Sequence, residues 1–129
     1  MSELPPEKPA LISDIKNAFI KEEIEKYIER KEEREEIIHL YAKAHSSMQK
    51  IAEAIIKGDH ETSNQLTKKA LENSVEALEI MDDALIAGMA IVGIKFRENF
   101  IFVPEVLGCA RAMKAGMKHI EPILSASGI

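Results

Sequence analysis

Tryptophan is absent from the chain, and its 129 residues include only one cysteine, Cys109. A lone thiol forms no internal disulfide, and a reducing cytoplasm is the simplest expected location. Long apolar runs are also missing. None approaches the roughly 20 residues that cross a bilayer, so a membrane-spanning helix is not expected. Residues 1–9 are polar and contain Pro5, Pro6 and Pro9, a composition unlike a secretory signal. Proline removes an amide donor and fixes φ, so this stretch is predicted to be a flexible tail. A basic excess is lacking as well. The net charge is −5, which argues against a nucleic-acid partner. Alternating strand patterns are scarce. Phe100 to Val103 is β-prone, but four residues without a partner do not make a sheet.

What the chain does contain is helical periodicity. Apolar residues make up 46% and charged residues 30%, a globular balance. Neither Gly nor Pro occurs from Ala10 until Gly58. Ile12, Ile15, Phe19, Ile24, Tyr27 and Ile28 follow helical spacing. So do Ile37, Leu40, Tyr41, Ala44, Met48, Ile51, Ala52 and Ile55. These stripes predict two helices with a junction near residues 29–34. Gly58-Asp59 is predicted to end the second helix and cap a third, which runs to about Asn73. Ser74 is predicted to cap a fourth helix running toward Phe96. Residues 97–103 form a connector, Pro104 suits the first turn of a last helix, and Pro122 either kinks or ends it. The expected fold class is all-α, a four-helix bundle over residues 46–124, with an N-terminal helical extension over 10–45 and a linker-like tail over 125–129.

The segment 84–124 carries the most information. Gly88 and Gly93 lie inside an apolar helical pattern, where each costs about 1 kcal/mol relative to Ala. Close helix–helix approach is the usual compensation. Phe96, Phe100, Phe102 and Val103 crowd one short connector. So apolar a loop either faces the core or covers a flat ligand or partner. The residues Gly88-Met89, Val92-Gly93, Phe96, Phe102-Val103-Pro104-Glu105-Val106 and Ala110-Arg111-Ala112-Met113 resemble the signature of the helical cap domain of corrinoid proteins. That family includes cobalamin-dependent methionine synthase and the corrinoid proteins of methanol and methylamine methyltransferase systems. Upstream, Ile51 to Asp59 and Asp82 to Leu85 resemble the family's preceding helices, so the resemblance covers about residues 46–124.

The resemblance implies a four-helix bundle seated on the upper face of cobalamin, with Phe96, Phe102, Val103 and Val106 facing the ring. A dry lid of this kind shields a reactive methyl-cobalt centre and must swing aside to admit the methyl donor and acceptor. It implies a partner too: an α/β corrinoid-binding domain or methyltransferase subunit, since the family's Asp-x-His-x-x-Gly motif does not occur here. The chain alone is therefore expected to bind cobalamin weakly at best. A stand-alone cap and a piece of a longer corrinoid protein both remain open. The competing expectation is a structural or interaction bundle, a homodimer joined through the exposed Phe96/Phe102 surface, that has lost cobalamin.

Other chemistry is thinly supported. His39 and His45 lie six apart, on different helix faces, and Glu36-Ile37-Ile38-His39 has no matching second pair for a di-iron site. No metal site and no catalytic residue are expected, and the chain is not expected to be a catalyst by itself. The glutamates from Glu22 to Glu36 read as a solvated face with local ion pairs. Cys109 reads as a buried, inert thiol.

Overall fold

A computed structural model describes residues 9–128. The predicted flexible tail, apart from Pro9, and Ile129 of the linker-like tail lie outside those residues. All regular structure is helical, and no strand occurs among the described residues. A 3₁₀ turn at Ile12–Asp14 precedes α1 (Ala18–Tyr27), α2 (Lys31–Ala42), α3 (Ser46–Lys57) and α4 (His60–Glu72). α5 (Ala77–Ile80) passes through a π-helical turn (Met81–Ile86) into α6 (Ala87–Arg97), with helical backbone angles at both joints. After a short connector comes α7 (Val103–Ala126). No helix among these residues is long and apolar enough to cross a membrane.

Two apolar clusters organise the chain. The first unites Ile20 and Ile24 of α1, Ile37, Ile38 and Tyr41 of α2, Ala52 and Ile56 of α3, and Ile91 and Val92 of α6. The second unites Met48, Ile51 and Ile55 of α3 with Ala70 of α4, Ile80, Leu85 of the π turn, and Ala112 and Ile120 of α7. α3 therefore contributes to both cores. The all-α bundle of α3 to α7 is joined to the N-terminal helices through α3 and α6. Each fully buried isoleucine is worth about 1.5–3 kcal/mol, so the N-terminal helices are held by packing. Tyr41 adds a directional tie. Its hydroxyl donates to the Ala87 carbonyl at 2.6 Å, and burial pushes the phenol pKa up.

Several helix ends follow predicted chemistry. Gly58 takes φ 70°, the left-handed conformation that closes α3. The Asp59 carboxylate accepts from the Thr62 amide at 3.1 Å and caps α4. Pro104 sits in the first turn of α7. Other ends correct the sequence reading. The stripe from Ile37 to Ile55 is two helices, not one: the chain turns at 43–45. There the Gln49 side-chain amide donates to the carbonyls of Tyr41 and Ala44, at 3.0 and 3.1 Å. A side chain has taken over carbonyls that a continuing helix would satisfy with backbone amides. Ser74 is not an N-cap. It adopts φ 66° and terminates α4, while Glu76 precedes α5 with no side-chain cap. Pro122 does not end the last helix, which continues through it to Ala126. α1 starts later than the apolar pattern, at an Asn17 cap whose side-chain oxygen accepts from the Ile20 amide at 2.9 Å.

The α4–α7 packing contains a testable imbalance. Ser63 is buried and donates to the Ala112 carbonyl at 2.7 Å. Thr67, one turn on and equally buried, has a hydroxyl without a hydrogen-bond partner among the described residues. An unsatisfied buried hydroxyl costs about 1–3 kcal/mol. Thr67→Val should therefore raise thermal stability, by about 1 kcal/mol, whereas Ser63→Ala should lower it by a similar amount. Melting curves of the two variants check the opposite signs.

Candidate functional site

The connector between α6 and α7 is built to present side chains outward. α6 stops because Asn99 turns to φ 65°, and the Phe100 amide donates back to the Lys95 carbonyl at 2.8 Å. Asparagine tolerates this conformation better than most residues. Phe102 then extends at φ −119° and ψ 176°, and its amide donates to the Glu105 carboxylate at 3.2 Å. These hydrogen bonds leave the corner between the two helices with little freedom.

The corner carries an exposed apolar surface. Phe102 and Leu107 are each 64% exposed, Val103 is 56%, and Phe96 and Phe100 are a little under half. Large apolar residues exposed together mark a surface that something covers. All four positions implied by the resemblance lie at this corner. Phe96 lies in the last turn of α6, Phe102 precedes α7, and Val103 and Val106 stand in the first turn of α7. Phe96, Phe102 and Val103 are exposed, while Val106 is half-buried and packs against the first core.

The two glycines of α6 serve different ends. Gly88 permits close approach to α3, for a Cβ there would lie 2.7 Å from Ile55 Cβ. Gly93 does not, which corrects the expectation that both serve helix packing. A Cβ on Gly93 would meet nothing within 4 Å, and the residue is exposed. Ile86, two turns earlier on the same face, is also exposed. Gly93 thus leaves bare backbone between Ile86 and Phe96 on the outer face of α6.

Behind this surface the N-terminal helices grip the connector. Lys95 Nζ lies 2.7 Å from Glu23 Oε1, with both side chains only about a tenth exposed, and 4.5 Å from the Tyr27 ring centre. Arg97 makes a two-pronged contact with Glu33, at 2.6 and 2.7 Å. The Arg97 hydrogen bonds hold the Glu33 carboxyl below the usual range and raise the guanidinium. Phe100 packs edge-on against Tyr27 with ring centres 4.9 Å apart. Sequence reasoning missed these ties. The glutamates are not all a solvated face with local pairs, since Glu23 and Glu33 reach residues 72 and 64 positions away, respectively. One signal was available for Glu23, which shares the apolar stripe of Ile20, Ile24 and Tyr27.

Reactive groups are scarce. Among the described residues no three of His, Cys, Asp and Glu gather where a metal could be held. Cys109 is buried, its thiol contacts the Ile56 carbonyl at 3.4 Å, and burial pushes its pKa up. Thiolate is the reactive form, so iodoacetamide should modify the native chain far more slowly than the unfolded chain at neutral pH. The native rate should keep rising through pH values where an ordinary thiol has levelled off. Mass spectrometry against time checks both statements.

Comparison with known proteins follows the same segment. A family described as B12 binding domain matches residues 48–121. A corrinoid protein of Desulfitobacterium hafniense (strain Y51) is 30% identical over 84 residues, which are 65% of this chain and 39% of that protein. The trimethylamine corrinoid protein of Methanosarcina barkeri is 37% identical over 73 residues, 57% of this chain and 34% of that protein. The trimethylamine corrinoid protein 2 of Methanosarcina acetivorans is 34% identical over an equal length. The chain thus spans little more than a third of the curated relatives it matches. No solved structure matches it.

Proposed function

Because the chain belongs to the B12-binding domain family, we propose that its bundle is the helical cap of a corrinoid-dependent methyl-transfer system, with Phe96, Phe102, Val103 and Val106 facing the upper side of the ring. The observation that supports this most directly is the exposed apolar corner itself. Three of the four residues are exposed, and Gly93 leaves a flat position beside them. A broad apolar macrocycle suits such a surface. When bound, the corrinoid supplies the methyl-carrying cobalt chemistry. The chain's residues exclude water from that face and set the shape of the lid.

Residues 46–124 form the cap in this proposal, and residues 10–45 brace its α6 end. The lower face belongs to an α/β corrinoid-binding domain or methyltransferase subunit, in the same protein or another. Cap and cofactor therefore meet only when that domain is present, and the chain is not a catalyst alone. Titrating the purified chain with methylcobalamin and hydroxocobalamin, read by absorbance and calorimetry, is expected to show weak binding or none. Tight binding would contradict the need for a second domain.

The same exposed Phe96/Phe102 corner favours a second reading, a homodimer that uses the patch as its interface and holds no corrinoid. Sedimentation separates them. The cap reading expects a monomer at micromolar concentration, whereas the dimer reading expects association that Phe102→Ser abolishes.

A further inference from the structure

The outer face of α7 changes character along its length. Leu107, Arg111, Lys114 and Lys118 follow the i, i+4, i+7, i+11 spacing that places residues in one stripe. The apolar corner thus passes directly into three exposed cations. Those cations form one wall of a groove whose other wall is α4, with His60 and Asn64. Asn64 is held there by His119, whose Nε2 lies 2.6 Å from its side-chain oxygen. Among the described residues none of the three cations joins an ion pair, whereas Lys95 and Arg97 at the corner are both neutralised. Glu61 is the one acid in the groove lining, which therefore keeps a positive excess on a chain of net charge −5, while Asp59, Glu105 and Glu121 lie outside that lining.

We propose that the groove between α4 and α7 docks an acidic protein segment that carries apolar residues at the end lying against Leu107. Both halves of that description come from the surface. The cations call for carboxylates, and Leu107, 64% exposed, calls for an apolar neighbour. Leu107 to Lys118 spans about 16 Å at 1.5 Å per residue, the reach of a few residues of extended chain. A nucleic acid fits less well, because a long polyanion leaving the stripe meets an acidic molecule. A free phosphate does not use the apolar end. The proposal goes beyond the corrinoid reading and does not depend on it.

The test is a titration of the ¹⁵N-labelled chain with a short synthetic peptide bearing leucines at one end and a run of glutamates at the other. Saturable shifts confined to residues 60–65 and 107–118 are expected. Affinity should fall about tenfold in Lys114→Glu/Lys118→Glu, severalfold in Leu107→Ala, and steeply with salt. These residues are exposed, and circular dichroism confirms that the variants stay folded. Unsaturable or scattered shifts overturn the proposal, as does a double variant that binds like the parent. Parallel titrations with inorganic pyrophosphate and a single-stranded oligonucleotide complete it. Tighter binding of either than of the peptide overturns the assignment to a protein segment. No corrinoid is present, so failure here leaves the cap reading untouched.

Discussion

Replacing Gly88 by alanine is expected to destabilise the fold by about 2 kcal/mol, while the same change at Gly93 stabilises it by about 1 kcal/mol. The two glycines lie five residues apart in one helix, so intrinsic propensity favours alanine equally at both. Space decides the sign. At Gly88 the new Cβ would come within 2.7 Å of Ile55 Cβ, 2.9 Å of its Cγ2 and 3.1 Å of the Ala52 carbonyl oxygen. Ile55 is fully buried, and the Ala52 backbone belongs to α3. Relief therefore requires α3 and α6 to separate, loosening both apolar clusters. At Gly93 the methyl enters solvent. Chemical denaturation with the slope held in common measures both changes. Equal effects, or a stabilised Gly88→Ala, would show that α3 and α6 do not approach as described. Gly93→Ala has a second use: a more stable protein that covers a corrinoid less well would mean that Gly93 is kept for the surface.

The Glu23–Lys95 pair should give the largest single loss. Both side chains are about 90% removed from water and meet at 2.7 Å. Glu23→Leu leaves an ammonium in a nearly dry site, which costs about 3 kcal/mol for well-buried pairs. The Tyr27 ring at 4.5 Å offsets only part of this. Glu23→Leu/Lys95→Met should recover most of the loss, because an apolar pair of similar volume needs no counter-charge. Unfolding free energies around the double-mutant cycle measure the coupling. Additive losses would mean that the two charges act separately. Loss of the pair should also free the connector, so faster amide exchange at residues 96–102 is expected in Glu23→Leu and not in the double variant.

Elements specified by local chemistry were readable in the sequence, and elements specified across the fold were not. Gly58, Asp59 and Pro104 act within one turn of themselves, so their roles follow from residue type. The all-α bundle follows from helical spacing, and the corrinoid-protein family from residues 84–113. The break at 43–45 stayed hidden because Tyr41, Ala44 and Met48 keep helical spacing across it. The Gln49 side chain takes the last carbonyls of α2, and His45 turns to ψ 150° before α3 begins. Ser74 resembles a cap by type, but the chain uses it one step earlier, to close α4 in a left-handed turn. The π turn at Met81–Ile86 has no residue signature, lying among Ala84, Leu85 and their apolar neighbours. Pro122 is accepted near the exposed end of α7, where a lost amide donor costs little. Of the candidate surface, Phe96, Phe102, Val103 and Val106 came from the family pattern. Their support by Glu23, Glu33 and Tyr27 did not, because pairing over 60 residues and more leaves no periodic trace.

We propose that the corner at Phe96 and Phe102 covers a corrinoid. This is tested most directly with the cobalamin-loaded α/β domain of a family corrinoid protein from which its own helical domain has been removed. The chain is added, and the visible spectrum of cobalt and the lifetime of its reduced cobalt(I) form in traces of oxygen are followed. A saturable spectral change and a longer lifetime are predicted, both lost in Phe96→Ala/Phe102→Ala while that variant melts like the parent. An unchanged spectrum and lifetime at saturating chain, or equal protection by the double variant, would contradict the account.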